Sequence, residues 1–428
     1  MIAFSRFPSL WLCGKYGIDM VCLTAPWLSL PILQHLFELF EQEGAVLRLV
    51  GGSVRDGLLG LPVSDIDLAV DRDPHWVTDL LEKNHIKVIP TGIDHGTITA
   101  ILEKRPYQIT TLRVDIKTFG RKAQVAFTED WVQDALRRDF TINALYADKS
   151  GHLFDPTGGL EDLKIRHIRF IGDSSLRIQE DYLRILRFFR FSARFGHEPF
   201  DENGLKACEK YASHLTHLAR ERVTEEFLKI LELPTPLYTL DRMKETGVLN
   251  YILHPKEWET LTAVVSLEKE AHLHPSPLIR LAAFYSDLIE VKNHLRLSKK
   301  QEEILFFLTS KHPSVTKTSY KQHTYLWGKA KTFDLALFQT AHRLTIATIS
   351  LKDAVQFLTH LQTLLKSWTV PLFPLMGKDL ISQGIKEGKE IGLLLKAVES
   401  WWIEKDLKPD HKACLAYLAT LRRNNEYK

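Results

Sequence analysis

Hydrophobic positions along the 428-residue chain follow two spacings. In residues 31–43, Ile32, Leu33, Leu36, Phe37 and Phe40 recur every three or four positions, which predicts an amphipathic helix. Shorter runs rich in β-branched residues follow at 46–50, 64–70, 87–89, 97–102 and 107–112, with breakers between them. They predict strands, interleaved with helices at 54–59 and 76–83. A sheet with flanking helices is the natural way to bury such elements. The character changes at Asp155-Pro156 and Gly158-Gly159, a turn-rich hinge. After Ile171 nearly every stretch reads as helix, and no internal repeat is evident.

The chemistry concentrates in residues 49–71, LVGGSVRDGLLGLPVSDIDLAVD. Gly51-Gly52-Ser53 ahead of a helix lets backbone N–H groups approach a phosphate, assisted by the helix dipole. Arg55 adds a bidentate phosphate donor. On a strand, Asp65 and Asp67 would project to one face, with Ile66 and Leu68 turned to the core. Two carboxylates that close repel unless a cation lies between them, and oxygen ligands on one face suit Mg²⁺ beside substrate phosphates. A lone DxD or a lone GG is more often a turn or a solvated edge. In register across one helix they point to a metal pair beside a triphosphate cradle, the apparatus of nucleotidyl transfer.

Further polar clusters follow. GIDHGT, residues 92–97, lies between two strands and reads as a turn with a positioning role, not a metal site. Residues 113–126 carry Arg113, Lys117, Arg121 and Lys122 around Gly120 and read as a mobile loop. Residues 131–147 read as a helix on which Asp139 and Asn143 share a face, while Arg137 and Arg138 diverge. Residues 177–195 read as another helix, with Asp181, Arg184, Arg187 and Arg190 at i+3 steps along one ridge. Leu183, Ile185, Leu186, Phe188 and Phe189 supply its core face. A plain Glu180–Arg184 ion pair would need only one of those arginines.

Composition adds bounds. With 45% hydrophobic residues the chain can fill two to four ordinary cores. With a formal net charge of only +3, the chain would hold RNA, if it binds RNA, by local patches and not by basic tails. Cys13, Cys22, Cys208 and Cys414 show no metal spacing and read as reduced thiols of a cytoplasmic protein. No apolar run is long enough to span a bilayer. Residues 1–15 carry Arg6 and Lys15 and no acid, which leaves open a weak organelle presequence or a later start at Met20.

These segments resemble the nucleotide-transferring head of the DNA polymerase β-like superfamily, and within it the class II tRNA nucleotidyltransferase (CCA-adding) and bacterial poly(A) polymerase family. The resemblance continues through DALRRDFTINAL, DPTGGLEDL, RIQEDYLRILRFFRF and GKDLISQGI. It implies an α/β nucleotidyltransferase head with a mixed sheet, followed by an all-α neck, body and tail. The expected divisions are an N-terminal extension at 1–24, a catalytic head at 25–160, a neck with a base-reading motif at 161–236, a body at 237–370 and a tRNA-binding tail at 371–428.

The implied activity is template-independent addition of CCA to the 3′ end of tRNA from CTP and ATP, with release of pyrophosphate. No membrane and no protein partner is implied. Asp65 and Asp67 would hold Mg²⁺, and Gly52, Ser53 and Arg55 the triphosphate. Arg138 and Asp139, with Asn143, would meet the nucleotide on its ribose side. The loop from Arg113 would help select the nucleotide. Asp181, Arg184, Arg187 and Arg190 would form the protein template that reads the base. Cytosine and adenine each present an exocyclic amine beside a ring-nitrogen acceptor, which suits Asp181 and Arg184; uracil and guanine present the reverse. The family commonly has an acid where this chain has Gln108, a departure that removes a third carboxylate. Rival readings are a poly(A) polymerase, an enzyme adding only CC or only A, and an inactive RNA-binding protein.

Overall fold

The computed structural model describes residues 10–12, 21–119, 122–253, 257–285, 287–386 and 388–424. The chain divides into two compact units, Met1–His254 and Pro255–Lys428.

In the first unit β1 (Leu10–Leu12) pairs antiparallel with β2 (Val21–Leu23). Helix α1 (Pro31–Gln42) begins on a proline, whose missing N–H is no loss at a helix start, and buries Leu33, Leu36, Phe37, Leu39 and Phe40. β3 (Leu47–Val50) leads into α2 (Gly52–Leu58), and β4 (Asp67–Val70) into α3 (Pro74–Lys83), capped by Asp73. β5 (Lys87–Gly92), β6 (Thr97–Leu102) and β7 (Arg105–Thr111) form an antiparallel meander whose last strand runs parallel to β4. After the ribbon of β8 (Arg113–Phe119) and β9 (Lys122–Phe127) comes α4 (Trp131–Leu136). β10 (Tyr146–Ala147) and β11 (Leu153–Phe154) complete a seven-stranded mixed sheet of order β11-β10-β3-β4-β7-β6-β5. Leu49, Leu68, Val70 and Ile109 are fully buried on its strands, as are Val54 and Leu58 on α2.

Three expectations change here. The strand expected at 64–70 begins only at Asp67. The loop expected at 113–126 is a β-ribbon: Val114, Ile116 and Thr118 alternate with charges in the period of a strand. Gly120 and Arg121, its expected turn, lie outside the described residues. The helix expected at 131–147 stops at Leu136, because Phe140 leaves to bridge Phe170, and a 3₁₀ turn at Thr141–Asn143 precedes β10.

Helices α5 (Gly159–Lys164), α6 (Ser174–Glu180), α7 (Arg184–Phe195), α8 (Glu202–Tyr211), α9 (Arg220–Leu231) and α10 (Leu237–Glu245) finish this unit. Asp155 of the DPTGG hinge accepts from the N–H groups of Gly159 and Leu160, which starts α5. The helix expected at 177–195 is broken: Asp181 is extended, at φ −153° and ψ 106°, between α6 and α7. Phe140, Phe170 and Phe188 stack across the junction of sheet and helices, with centroids 4.9 and 5.5 Å apart. Residues 237–253, expected to open the body, belong to this unit.

The second unit is helical: α11 (Trp258–Glu270), α12 (Pro277–Phe284), α13 (Leu288–His294), α14 (Lys299–Thr309), α15 (Tyr320–Thr345), α16 (Leu351–Ser367), α17 (Gly377–Ser382), α18 (Lys389–Glu404) and α19 (His411–Asn424). Arg280 and Glu268, both 1% exposed, pair at 2.6 Å in its interior. Leu380, Leu394, Val398, Trp402, Cys414 and Leu418 form a core under α17, α18 and α19. Gly384, at φ +78°, ends α17, so that tail glycine serves a helix cap. Cys208 and Cys414 are free and buried, Cys22 is buried, and Cys13 lies outside the described residues. No described helix is long and apolar enough to cross a membrane.

Candidate active site

A cavity of about 790 Å³ opens where the sheet of the first unit meets α4, α6, α7 and α9. Gly51 and Gly52 form one wall. Gly51 sits at φ 68° and ψ −123°, a conformation natural only to glycine, and so turns the N-terminus of α2 toward the cavity. Ser53 is 2% exposed and its hydroxyl donates to the Val50 carbonyl at 3.0 Å, so only its backbone is available to a ligand. Arg55 lines the cavity while donating from Nε to Asp56 at 2.8 Å and from Nη1 to Asn143 Oδ1. Its guanidinium lies 4.1 Å over the Phe195 ring. Arg55 therefore ties α2 to the 3₁₀ turn and to α7.

Asp67 lines the same cavity, half-buried at the start of β4. Asp65 lies in the connecting segment, exposed, and accepts from Ser64 Oγ at 3.0 Å. Strand alternation therefore does not set their geometry. Even so, Asp67 senses Asp65: burial pushes the Asp67 carboxyl up, Arg138 pulls it down, and the Asp65 charge pushes it up again. Gln108, exposed, stands opposite Asp67 across β4 and β7. Among the described residues no group of three or more His, Cys, Asp or Glu side chains is arranged to hold a metal. The two carboxylates are hard oxygen donors and fit a divalent cation that completes its shell with phosphate oxygens and water.

Arg137 and Arg138 were expected to diverge, yet both line the cavity. They converge on Asp134, which is 1% exposed. Asp134 Oδ1 accepts from Arg137 Nε and Nη2 at 2.8 and 2.6 Å, and Oδ2 from Arg138 Nη2 at 3.0 Å and the Tyr146 hydroxyl at 2.7 Å. Burial would raise the Asp134 carboxyl, but Arg138 and Arg137 hold it down at about 2. Asp139 and Asn143 do meet, Nδ2 donating to Oδ1 at 2.9 Å, although no helix joins them. Asp139 Oδ2 also accepts from Arg187 Nε at 2.7 Å. Burial opposes ionisation of Asp139, and Arg187 with Asn143 outweighs it, leaving the carboxyl at about 2.

Asp181 and Arg184 both line the cavity, but not as neighbours on one helix. Arg222 of α9 grips Asp181 with both Nη atoms, at 3.2 and 2.7 Å, and Leu183 N donates to its Oδ1 at 3.1 Å. Arg184 pairs with Glu180, the plain ion pair considered above, and also donates to the carbonyls of Arg177 and Arg137, each at 2.9 Å. Arg187 lines the cavity. Arg190 does not: it pairs with Glu226 at 2.6 Å and lies 4.6 Å over Phe191, behind the wall. Asp134, Glu180, Arg222, His95, Arg113 and Asp115 were not singled out as site residues from the sequence. Arg113 and His95 nevertheless lie in the two segments given a selecting or positioning role, and Glu180 was weighed as the partner of Arg184.

Residues 47–169 match the family described as "Poly A polymerase head domain", and residues 199–260 the one described as "Probable RNA and SrmB- binding site of polymerase A". The chain is similar to a mitochondrial CCA tRNA nucleotidyltransferase 1 of Danio rerio, 34% identical over 86% of each chain. It is 33% identical to that of Homo sapiens over 90% of this chain and 89% of the relative. It is 30% identical to a CCA-adding enzyme of Lactococcus lactis, over 90% and 95%. In fold it resembles the Bacillus stearothermophilus CCA-adding enzyme in complex with CTP, at a TM-score of 0.69 and 23% identity, covering 93% of this chain and 99% of that one.

Proposed function

This chain belongs to the CCA-adding tRNA nucleotidyltransferase and poly(A) polymerase family, and from that premise we infer that it adds C, C and A to the 3′ end of tRNA from CTP and ATP. One observation carries the reading: a single cavity holds the glycine turn, Asp67, the Arg137-Arg138-Asp139 run and both Asp181 and Arg184.

In the reaction the 3′-oxygen of the RNA attacks the α-phosphorus of the nucleotide. A new P–O bond forms as the α–β bridging bond breaks, and pyrophosphate leaves. Asp65 and Asp67 would hold Mg²⁺, which when bound favours the ionised 3′-hydroxyl and offsets charge on the leaving group. The amides at the start of α2 receive the triphosphate, and Arg138 contacts the nucleotide beside them. Asp139 acts on the ribose side through Asn143 and Arg187, which it holds in place. Asp181 Oδ2, held from one side by Arg222, accepts from the exocyclic amine of C or A, and Arg184 donates to the ring nitrogen. Uracil and guanine meet these groups with like polarity. Arg190 supports the template helix from behind. The tail, residues 371–428, is the proposed tRNA grip. The cytoplasmic location read from the reduced cysteines stands beside an organellar one, favoured by the mitochondrial names of the vertebrate relatives.

The test is to incubate the protein with a tRNA ending before its CCA and with single labelled nucleotides. CTP alone should add two residues, and CTP with ATP should add three and stop. A long A-tail from ATP alone would make it a poly(A) polymerase. Arrest after CC would make it a partial-specificity enzyme, and RNA binding without incorporation an inactive one.

A further inference from the structure

We propose that Asp134 is a positioning residue for the triphosphate, fanning Arg137 and Arg138 across the cavity wall so that each presents its free Nη1 edge to the phosphates. The inference rests on the reading that the glycine turn receives the triphosphate.

Four observations carry it. Asp134 divides its two oxygens between the arginines, Oδ1 to Arg137 and Oδ2 to Arg138. In both arginines the bonds to Asp134 come from Nε and Nη2, so the same edge is used and Nη1 is left outward. Arg138 Nη1 then lies 3.6 Å from where a β-carbon on Gly51 would stand, at the phosphate turn itself. Finally, the cations crowd: burial and the Arg137 charge together lower Arg113 to about 10, and Arg113 N also donates to Asp134 Oδ1 at 3.3 Å. Two carboxylates, Asp134 and Asp115, among three arginines still leave net positive charge there, as a polyphosphate requires, and Asp134 keeps Arg137 and Arg138 from repelling each other out of place. Asp134 itself is 1% exposed and is not among the residues lining the cavity, so it acts through the arginines.

The base reader is anchored differently. Arg184 is held by the backbone carbonyl of Arg137, which does not depend on the Asp134 side chain. Phosphate grip and base choice should therefore separate in one residue's variants.

The experiment compares full-length wild type with Asp134→Asn, Asp134→Glu and Arg138→Ala on a tRNA acceptor. It reads KM and kcat for CTP and for ATP, inhibition by pyrophosphate, and the CTP-to-UTP preference. Both Asp134 variants should raise KM for CTP and ATP alike and weaken pyrophosphate inhibition in parallel, by roughly 10- to 100-fold, with the CTP-to-UTP preference unmoved. Asp134→Glu keeps the charge and lengthens the side chain by one methylene, so it decides the matter if Asp134→Asn fails to fold. Unchanged KM and pyrophosphate inhibition in folded Asp134→Glu overturns the proposal, as does a changed base preference with unchanged KM. If Arg138→Ala itself leaves pyrophosphate inhibition intact, the triphosphate reading fails instead.

Discussion

Gln108 stands beside Asp67 in the parallel register of β7 and β4, so the residue next to Asp67 across the strands carries a neutral amide and not a carboxylate. In the proposed mechanism Asp65 and Asp67 then supply the charge that holds Mg²⁺. Asp65→Ala and Asp67→Ala should each lower nucleotide incorporation by roughly 100- to 1,000-fold or more, and chelation of divalent cations should abolish it. Affinity for tRNA, measured by filter binding, should change little. Near-normal turnover in either variant would remove the two-carboxylate mechanism.

In the proposed base reading, Asp181→Ala removes the acceptor that would distinguish an amine from a carbonyl. The ratio of CTP to UTP incorporation should fall by at least roughly tenfold, while pyrophosphate inhibition stays near that of the wild type. Arg184→Ala should also lose discrimination, but with a second cost. Its guanidinium ties α6 and α7 to the Arg137 carbonyl, so the melting temperature should fall as well. Strong exclusion of UTP by both variants would end the template role.

Acid stability should depend on Asp134 and Asp139. Both carboxyls are lowered from 3.8 to about 2 in the folded chain. A depressed folded pKa contributes stability that is fully present above the unfolded value and is lost as pH falls through the folded one. The window is therefore pH 4 down to about 2, and each carboxylate contributes on the order of 2 kcal/mol above it. Urea unfolding at pH 7, 4 and 2.5 should show a flat upper range and a steep loss below. Asp134→Asn should flatten that loss.

Gly51→Ala tests the phosphate turn. The added carbon would meet only ordinary contacts, 3.6 Å to Arg138 Nη1 and 3.7 Å to the Asn143 carbonyl. The cost is therefore backbone strain at φ +68° and ψ −123°, about 1–3 kcal/mol. Relief by rotating the start of α2 should raise KM for both nucleotides without altering base preference. An unchanged KM would mean that the α2 amides do not meet the triphosphate.

Local signals in the sequence reached some of this and not the rest. The glycine turn, α1, α3 and the meander follow from breakers and periodicity, which act over a few residues. The i,i+4 reasoning at Asp139 and Asn143 reached a real contact by an inapplicable route, since a 3₁₀ turn closes the same span. At Asp181 the apolar pattern of α7 extends back through Leu183, so nothing in the spacing shows the extended residue. Asp134 was invisible for another reason. An acid three and four residues before two arginines reads as a solvated helix face, and only the fold buries it to 1% exposure. The partnership of Asp181 with Arg222 spans 41 residues, beyond any local pattern.

Among the described residues the β8–β9 ribbon has no third strand, and two strands alone are marginal in water. Its root is held by Asp134, through the Arg113 amide, and its Asp115 and Val125 face the cavity. Deuterium should therefore enter its amides sooner than those of the seven-stranded sheet. A nucleotide filling the cavity would slow that entry, and the ribbon would become a gauge of occupancy readable without any turnover.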